Sequence, residues 1–233
     1  DKQTLGLYDS RTGEYSFNLS GQTPEEIAQA IAEETTHHAQ DVTGKLDADL
    51  RRYETKFVQD TKSLNEKYII PIWNALKNNE LNLIPNLARG YGKTYFSLLY
   101  TSFTGHIILE SHAKESQGLD TTTKVTLLAS EYISPVIDIY LSWLPETFKD
   151  MPVLIKFILP EYEKFKIKTI EFINKMVEDI VFETLPVRTK KFKELAMENI
   201  NTASLDALKK AVVDLVINNM EETMDSVKEE LNA

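Results

Sequence analysis

Four prolines cut one of the most apolar parts of the chain. Residues 132–166 read YISPVIDIYLSWLPETFKDMPVLIKFILPEYEKFK, and Pro135, Pro145, Pro152 and Pro160 interrupt a run rich in Leu, Ile, Val and aromatics. Proline lacks the N–H of a helix interior and clashes with the carbonyl one turn back. It is also excluded from central β-strands. In a first helical turn, by contrast, it is harmless and simply redirects the chain. The segment therefore predicts short helices, at about 121–133, 135–144, 147–158 and 160–184. Each piece is too short to be stable in isolation. Each sets Leu, Ile, Val and an aromatic on one side against Asp138, Glu146, Lys149, Asp150 or Lys156 on the other. Wide apolar faces of this kind suit wrapping around an apolar cavity or lying on a lipid surface.

Helical period also governs the flanking sequence. Thr23-Pro24-Glu25-Glu26 reads as a helix start, with Thr23 as cap, Pro24 in the first position and Glu26 placed for a capping box. Beyond it Leu46, Leu50, Tyr53, Phe57, Leu64, Tyr68, Ile72 and Leu76 recur at steps of three and four. Leu46–Phe57–Tyr68 and Tyr53–Leu64–Ala75 are 11-residue steps, which keep an apolar stripe nearly straight. Gly44 is expected to break this run near its start, and Pro71 to kink it near its end. A loop is expected at Lys77–Glu80, then irregular chain through LNLIPNLARGYG, a helix over about 93–115, and a break at Gln117–Thr121. After a junction through Pro186, a last helix or pair is expected over about 188–231, with a start signal at Thr202-Ala203-Ser204. Its apolar face is Leu205, Leu208, Val212, Leu215, Val216, Met220, Met224, Val227 and Leu231.

Residues 1–22 differ. Tyr15, Phe17 and Leu19 alternate with Glu14, Ser16 and Asn18, the period of a half-buried strand. A hairpin around Ser10-Arg11-Thr12-Gly13 and an extended arm packed on helices both fit. The expected fold is all-α: a multi-helix bundle of amphipathic, proline-punctuated helices, with residues 1–22 as an extended or hairpin arm and residues 23–233 as one helical domain. There is no βαβ alternation to support a parallel α/β sheet.

Charge and motifs remove several kinds of function. A net charge of −10 argues against nucleic-acid binding. The densest basic run, Arg188, Lys190, Lys191 and Lys193, reads as a solvated face; a contact for an acidic headgroup or partner is the other reading. The absence of cysteine excludes disulfides, thiol catalysis and Cys-based metal sites. There is no G-x-S-x-G element, and Arg89–Thr94 lacks phosphate-loop spacing. Glu34-Thr35-Thr36-His37 is a single E-x-x-H. With His106 and Glu110 (and His112 nearby) it offers a metal reading, but residues 33–38 look solvated and no metal or cofactor is expected. No run reaches the roughly 18–20 apolar residues of a membrane span. The nearest, Thr94–Leu109, reads as a buried or interfacial helix.

The aromatics concentrate in the middle third. A non-enzymatic protein is expected, binding lipids or other apolar molecules between its helices or at a lipid interface. The residues expected to line the cavity or present the surface are Trp73, Phe96, Leu99, Tyr100, Phe103, Ile107, Ile139, Tyr140, Trp143, Phe157 and Ile158. Over residues 42–76 and 121–231, proline-separated amphipathic helices with 11-residue spacing resemble the pattern of exchangeable apolipoproteins and lipid-droplet coat proteins. The chain shares no signature residue with them and is more aromatic and less regular. The rival readings are an assembly protein forming a homo-oligomer, a helical pore former inserting residues 94–109, and a metalloenzyme using Glu34, His37 and His106. A start at Asp1 and the sequon Asn18-Leu19-Ser20 give the expectation of a processed, secreted chain.

Overall fold

The computed structural model describes residues 6–9, 12–42, 53–115, 119–183 and 202–232. Gly44, Leu46, Leu50, Pro186 and the basic run at 188–193 lie outside these residues, as do the side chains of Tyr53, Phe57, His106, Glu110 and His112. The fold is all-α behind an amino-terminal hairpin. Strands β1 (Gly6–Asp9) and β2 (Glu14–Phe17) pair antiparallel, Gly6 opposite Phe17 and Asp9 opposite Glu14. The turn closes on Gly13, whose φ of 72° suits glycine and whose N–H donates to the Asp9 carbonyl at 2.7 Å.

Helix α1 (Pro24–Val42) starts as the sequence predicts. The Thr23 N–H donates to Glu26 Oε2 at 2.8 Å, and the Glu26 N–H donates to Thr23 Oγ1 at 3.2 Å. The Thr23 N–H holds the Glu26 carboxyl below its ordinary pKa. Two expectations fail in this region. Tyr15 and Leu19 are exposed, and the ring that anchors the hairpin is Tyr8, at 2% exposure. The segment around 33–38 is not solvated throughout either, because Glu34 and His37 are buried. The hairpin folds onto that side of α1, where Glu34 Oε2 accepts the Tyr8 N–H at 2.5 Å and His38 packs against the rings of Tyr8 and Tyr15, which also meet each other.

Helices α2 (Tyr53–Leu64) and α3 (Ile70–Lys77) are joined by a π-helical turn, Asn65–Ile69. Helices α5 (Thr121–Leu127) and α6 (Ser134–Leu141) are joined in the same way by Leu128–Ile133. Both π turns directly precede a proline, Pro71 or Pro135. The N–H before each proline donates five residues back, Ile70 to the Asn65 carbonyl and Ser134 to the Ala129 carbonyl. The wider turn accommodates a ring that would otherwise strike the carbonyl one α-turn earlier. Pro71 therefore widens the helix where a kink was predicted.

Helix α4 (Ile84–Glu115) is longer than predicted. Pro85 stands in its first turn, and Gly90 and Gly92 do not break it. They let neighbours approach: a Cβ on Gly90 would lie 2.6 Å from a ring carbon of Tyr68, and one on Gly92 would lie 3.2 Å from Ile158. Short α7 (Leu144–Phe148) and a 3-10 turn (Pro152–Leu154) lead into α8 (Ile155–Glu183). The predicted helix over 147–158 is therefore not continuous. Pro160 does not divide α8; it sits near the amino-terminal end, where it removes a single interior hydrogen bond. The last described helix, α9, runs Thr202–Asn232. Of its predicted apolar face, Val212, Val216, Met220, Met224, Val227 and Leu231 are buried, Leu205 and Leu208 pack partly against the core, and Leu215 is exposed.

The core forms where α4 meets α8 and the α5–α6 segment. Phe96 stacks on Phe165 with ring centres 5.3 Å apart, Phe103 meets Phe172 at 5.4 Å, Tyr91 meets Phe148 at 5.1 Å, and Tyr95 meets Tyr140 at 6.0 Å. Each such ring contributes about 1.5–3 kcal/mol by leaving water. The Tyr95 hydroxyl donates to the Tyr140 carbonyl, and the Tyr140 hydroxyl pairs with Ser102 Oγ at 2.8 Å.

Candidate functional site

Side-chain contacts fix the directions of the helices. Tyr68 meets Thr94 and Tyr91 meets Phe148, so α3 and the α6–α7 segment run against α4. Gly92 faces Ile158 while Phe103 faces Phe172, so α8 runs parallel to α4. Lys166 pairs with Glu221 and Lys209 with Glu178, so α9 runs back along α8. The ends of α3, α7 and α9 therefore lie toward the starts of α4 and α8, whereas Tyr140 at the end of α6 meets Tyr95 and Ser102 farther along α4.

The eleven residues singled out from the sequence divide at this point. Phe96, Leu99, Phe103, Ile107, Tyr140 and Ile158 are buried in the core, and Tyr100 and Phe157 pack partly against it. Trp73, Ile139 and Trp143 are exposed, both tryptophans at 39%. Trp73 is near the end of α3, and Trp143 lies between Tyr140, which meets Tyr95, and Phe148, which meets Tyr91. A shallow recess lined by Phe17, Asn18, Leu19, Gln22, Glu26, Ile27 and Ala30, with no enclosed space for a ligand, lies elsewhere, between β2 and α1.

Four further apolar side chains join Trp73 that the sequence reading did not single out. Ile70 and Leu76 share α3 with it, and Leu81 and Leu83 stand on the 3-10 turn Leu81–Leu83 that leads into α4. All four are exposed, Leu81 at 56%. The geometry of the corner explains why. Helix α3 ends in a Schellman arrangement: the Glu80 N–H donates to the Ala75 carbonyl at 2.8 Å, and the Asn79 N–H donates to the Leu76 carbonyl at 3.3 Å. Asn79 takes φ 59°, a left-handed conformation that asparagine tolerates. This turn satisfies the last carbonyls and reverses the chain sharply, so the leucines that follow have no helix to pack under. The alternation Leu81-Asn82-Leu83 was the available sign, since apolar residues placed in a tight connection have little chance of reaching a core.

The corner is also electrically quiet. Asn74, Asn78, Asn79, Asn82 and Asn86 alternate along the chain with the apolar residues and are exposed, and between residues 73 and 86 the charges are Lys77 and Glu80. Elsewhere at this end Lys149 is paired with Glu146 at 2.5 Å.

Burial pushes the phenols of Tyr91, Tyr95, Tyr140 and Tyr162 upward, and all four are core residues. Among the described residues no group of His, Asp and Glu is arranged to hold a metal ion, and no helix is long and apolar enough to cross a membrane. No protein family, curated protein or solved structure matches this chain.

Proposed function

We propose that this is a non-enzymatic helical bundle that binds a lipid interface through the exposed side chains of Trp73 and Trp143. The observation that carries the reading is the corner itself. Ile70, Trp73, Leu76, Leu81 and Leu83 are exposed on one short stretch of chain, and Trp143 is a second exposed tryptophan. Monomeric soluble proteins scatter single exposed apolar residues, whereas a contiguous set rimmed by polar groups marks an interaction site. Tryptophan suits the boundary between water and hydrocarbon, because its ring is apolar and its N–H remains hydrated. Phe96, Leu99, Phe103, Ile107, Tyr140 and Ile158 support the site from behind by making the scaffold rigid.

Fluorescence on vesicles tests the reading. Trp73→Phe and Trp143→Phe leave one tryptophan each. Both single-tryptophan proteins are expected to shift to the blue on adding phosphatidylcholine vesicles. Unchanged emission in both, together with no co-sedimentation of the unmodified protein, ends the proposal. Concentration-dependent self-association without lipid would support the assembly reading in its place.

A further inference from the structure

We infer that the α3–α4 corner selects an electrically neutral, zwitterionic lipid surface over an anionic one. This rests on the lipid-interface reading above and specifies the lipid. Peripheral proteins that recognise anionic leaflets carry clusters of about four to eight Lys and Arg beside the inserting residues. Interspersed along the chain with Trp73, Leu76, Leu81 and Leu83 there are instead five exposed asparagines, with one lysine and one glutamate between them. Asparagine offers two donors and an acceptor at no charge. Such side chains can satisfy ester carbonyls and headgroup phosphates whose charge the choline or ethanolamine nitrogen already balances.

The surroundings strengthen the choice. Helix α9 brings Glu229 and Glu230 toward this end, packing on α7, and α7 and the turn after it carry Glu146 and Asp150. Lys149 is already paired with Glu146, and the other exposed cations of the flanking elements, Lys67, Arg89, Lys93 and Lys156, are matched in number by the exposed acids Glu66, Asp150, Glu229 and Glu230. The whole chain carries a net charge of −10. Approach to an anionic surface is therefore repelled at long range and gains little at short range.

Salt supplies a distinctive readout. The screening length falls from about 30 Å at 0.01 M to about 8 Å at 0.15 M. Repulsion should then weaken as salt rises, the opposite of the usual behaviour of membrane-binding proteins. The experiment is co-sedimentation of the full chain with phosphatidylcholine vesicles and with vesicles in which roughly a third of the lipid is phosphatidylserine, at both salt concentrations. Binding to neutral vesicles is expected to be nearly independent of salt. Binding to the anionic vesicles is expected to be at least about threefold weaker at low salt and to recover at 0.15 M. Tighter binding to the anionic vesicles, lost on adding salt, overturns the lipid preference and leaves the interface reading standing. No binding to either vesicle overturns both. A Leu81→Ser, Leu83→Ser double variant places the contact: these side chains are exposed, so the helical circular dichroism should be unchanged while neutral-vesicle binding falls about tenfold. Undiminished binding moves the contact away from this corner.

Discussion

Two regions of this protein are built from the same kinds of residue and have opposite fates. Between α4 and α8, Phe96, Phe103 and Phe165 pack on one another out of water, with Phe172 half-buried against Phe103. At the α3–α4 corner, Trp73, Leu76, Leu81 and Leu83 face solvent. The difference does not lie in hydrophobicity. It lies in whether a neighbouring element runs alongside. Helices α4 and α8 start at the same end and run parallel, so every turn of one finds a turn of the other. The corner is a reversal, and a reversal has no neighbour on its outer side.

This contrast can be broken most forcefully in the core. Phe103→Ala removes a fully buried ring that meets both Phe165 and Phe172, and is expected to cost about 3–5 kcal/mol in urea unfolding. A loss below about 1 kcal/mol would mean that the core is looser than its contacts imply. Gly90→Ala probes the close approach of α3 to α4. The added Cβ meets the Tyr68 ring at 2.6 Å and threatens the bond from Tyr68 to Thr94, so a cost of about 1–3 kcal/mol is expected, read from the same transition.

Alkaline pH attacks the core without mutation. Burial raises the phenol pKa of Tyr91, Tyr95, Tyr140 and Tyr162 in the folded chain. Below the unfolded value of about 10, both states hold the proton and the full stability is present. Above it the unfolded chain releases protons that the folded chain keeps, so stability falls as pH rises toward the folded values. Denaturation curves at pH 9 and pH 11 should show a loss on the order of 1 kcal/mol or more, and Tyr91→Phe should reduce it. The corner gives the smallest effect on stability. Leu81→Ser and Leu83→Ser should each change unfolding by no more than about 0.5 kcal/mol, and the test is that vesicle binding changes although stability does not. A large destabilisation would show that these leucines belong to the core after all.

Much of the fold was legible beforehand where a local rule decides it. Thr23 to Glu26 specified its cap through side chains three residues apart, and the three-and-four spacing of Val212, Val216, Met220, Met224, Val227 and Leu231 specified the buried side of α9. Pro71 and Pro135 were legible as interruptions. Their form as π turns was not, because it depends on how the preceding carbonyls relax. Gly90 and Gly92 misled for a related reason: glycine reads as a breaker when nothing shows that Tyr68 and Ile158 press against it. The eleven candidate site residues were chosen for size and apolarity, which cannot distinguish Phe103 from Trp73. Exposure is a property of what lies opposite, and that is set by contacts far apart in sequence.

What the sequence determined by itself is the helical class, the extended character of the amino-terminal arm, the positions of the caps and prolines, and the absence of cysteine chemistry, since each follows from residues within a few positions of one another. Only the tertiary structure decided which apolar faces find partners. That choice depends on helix direction and on where the chain reverses, so the exposed end of Trp73, Leu81 and Leu83 emerges only when α3, α4 and α8 are assembled.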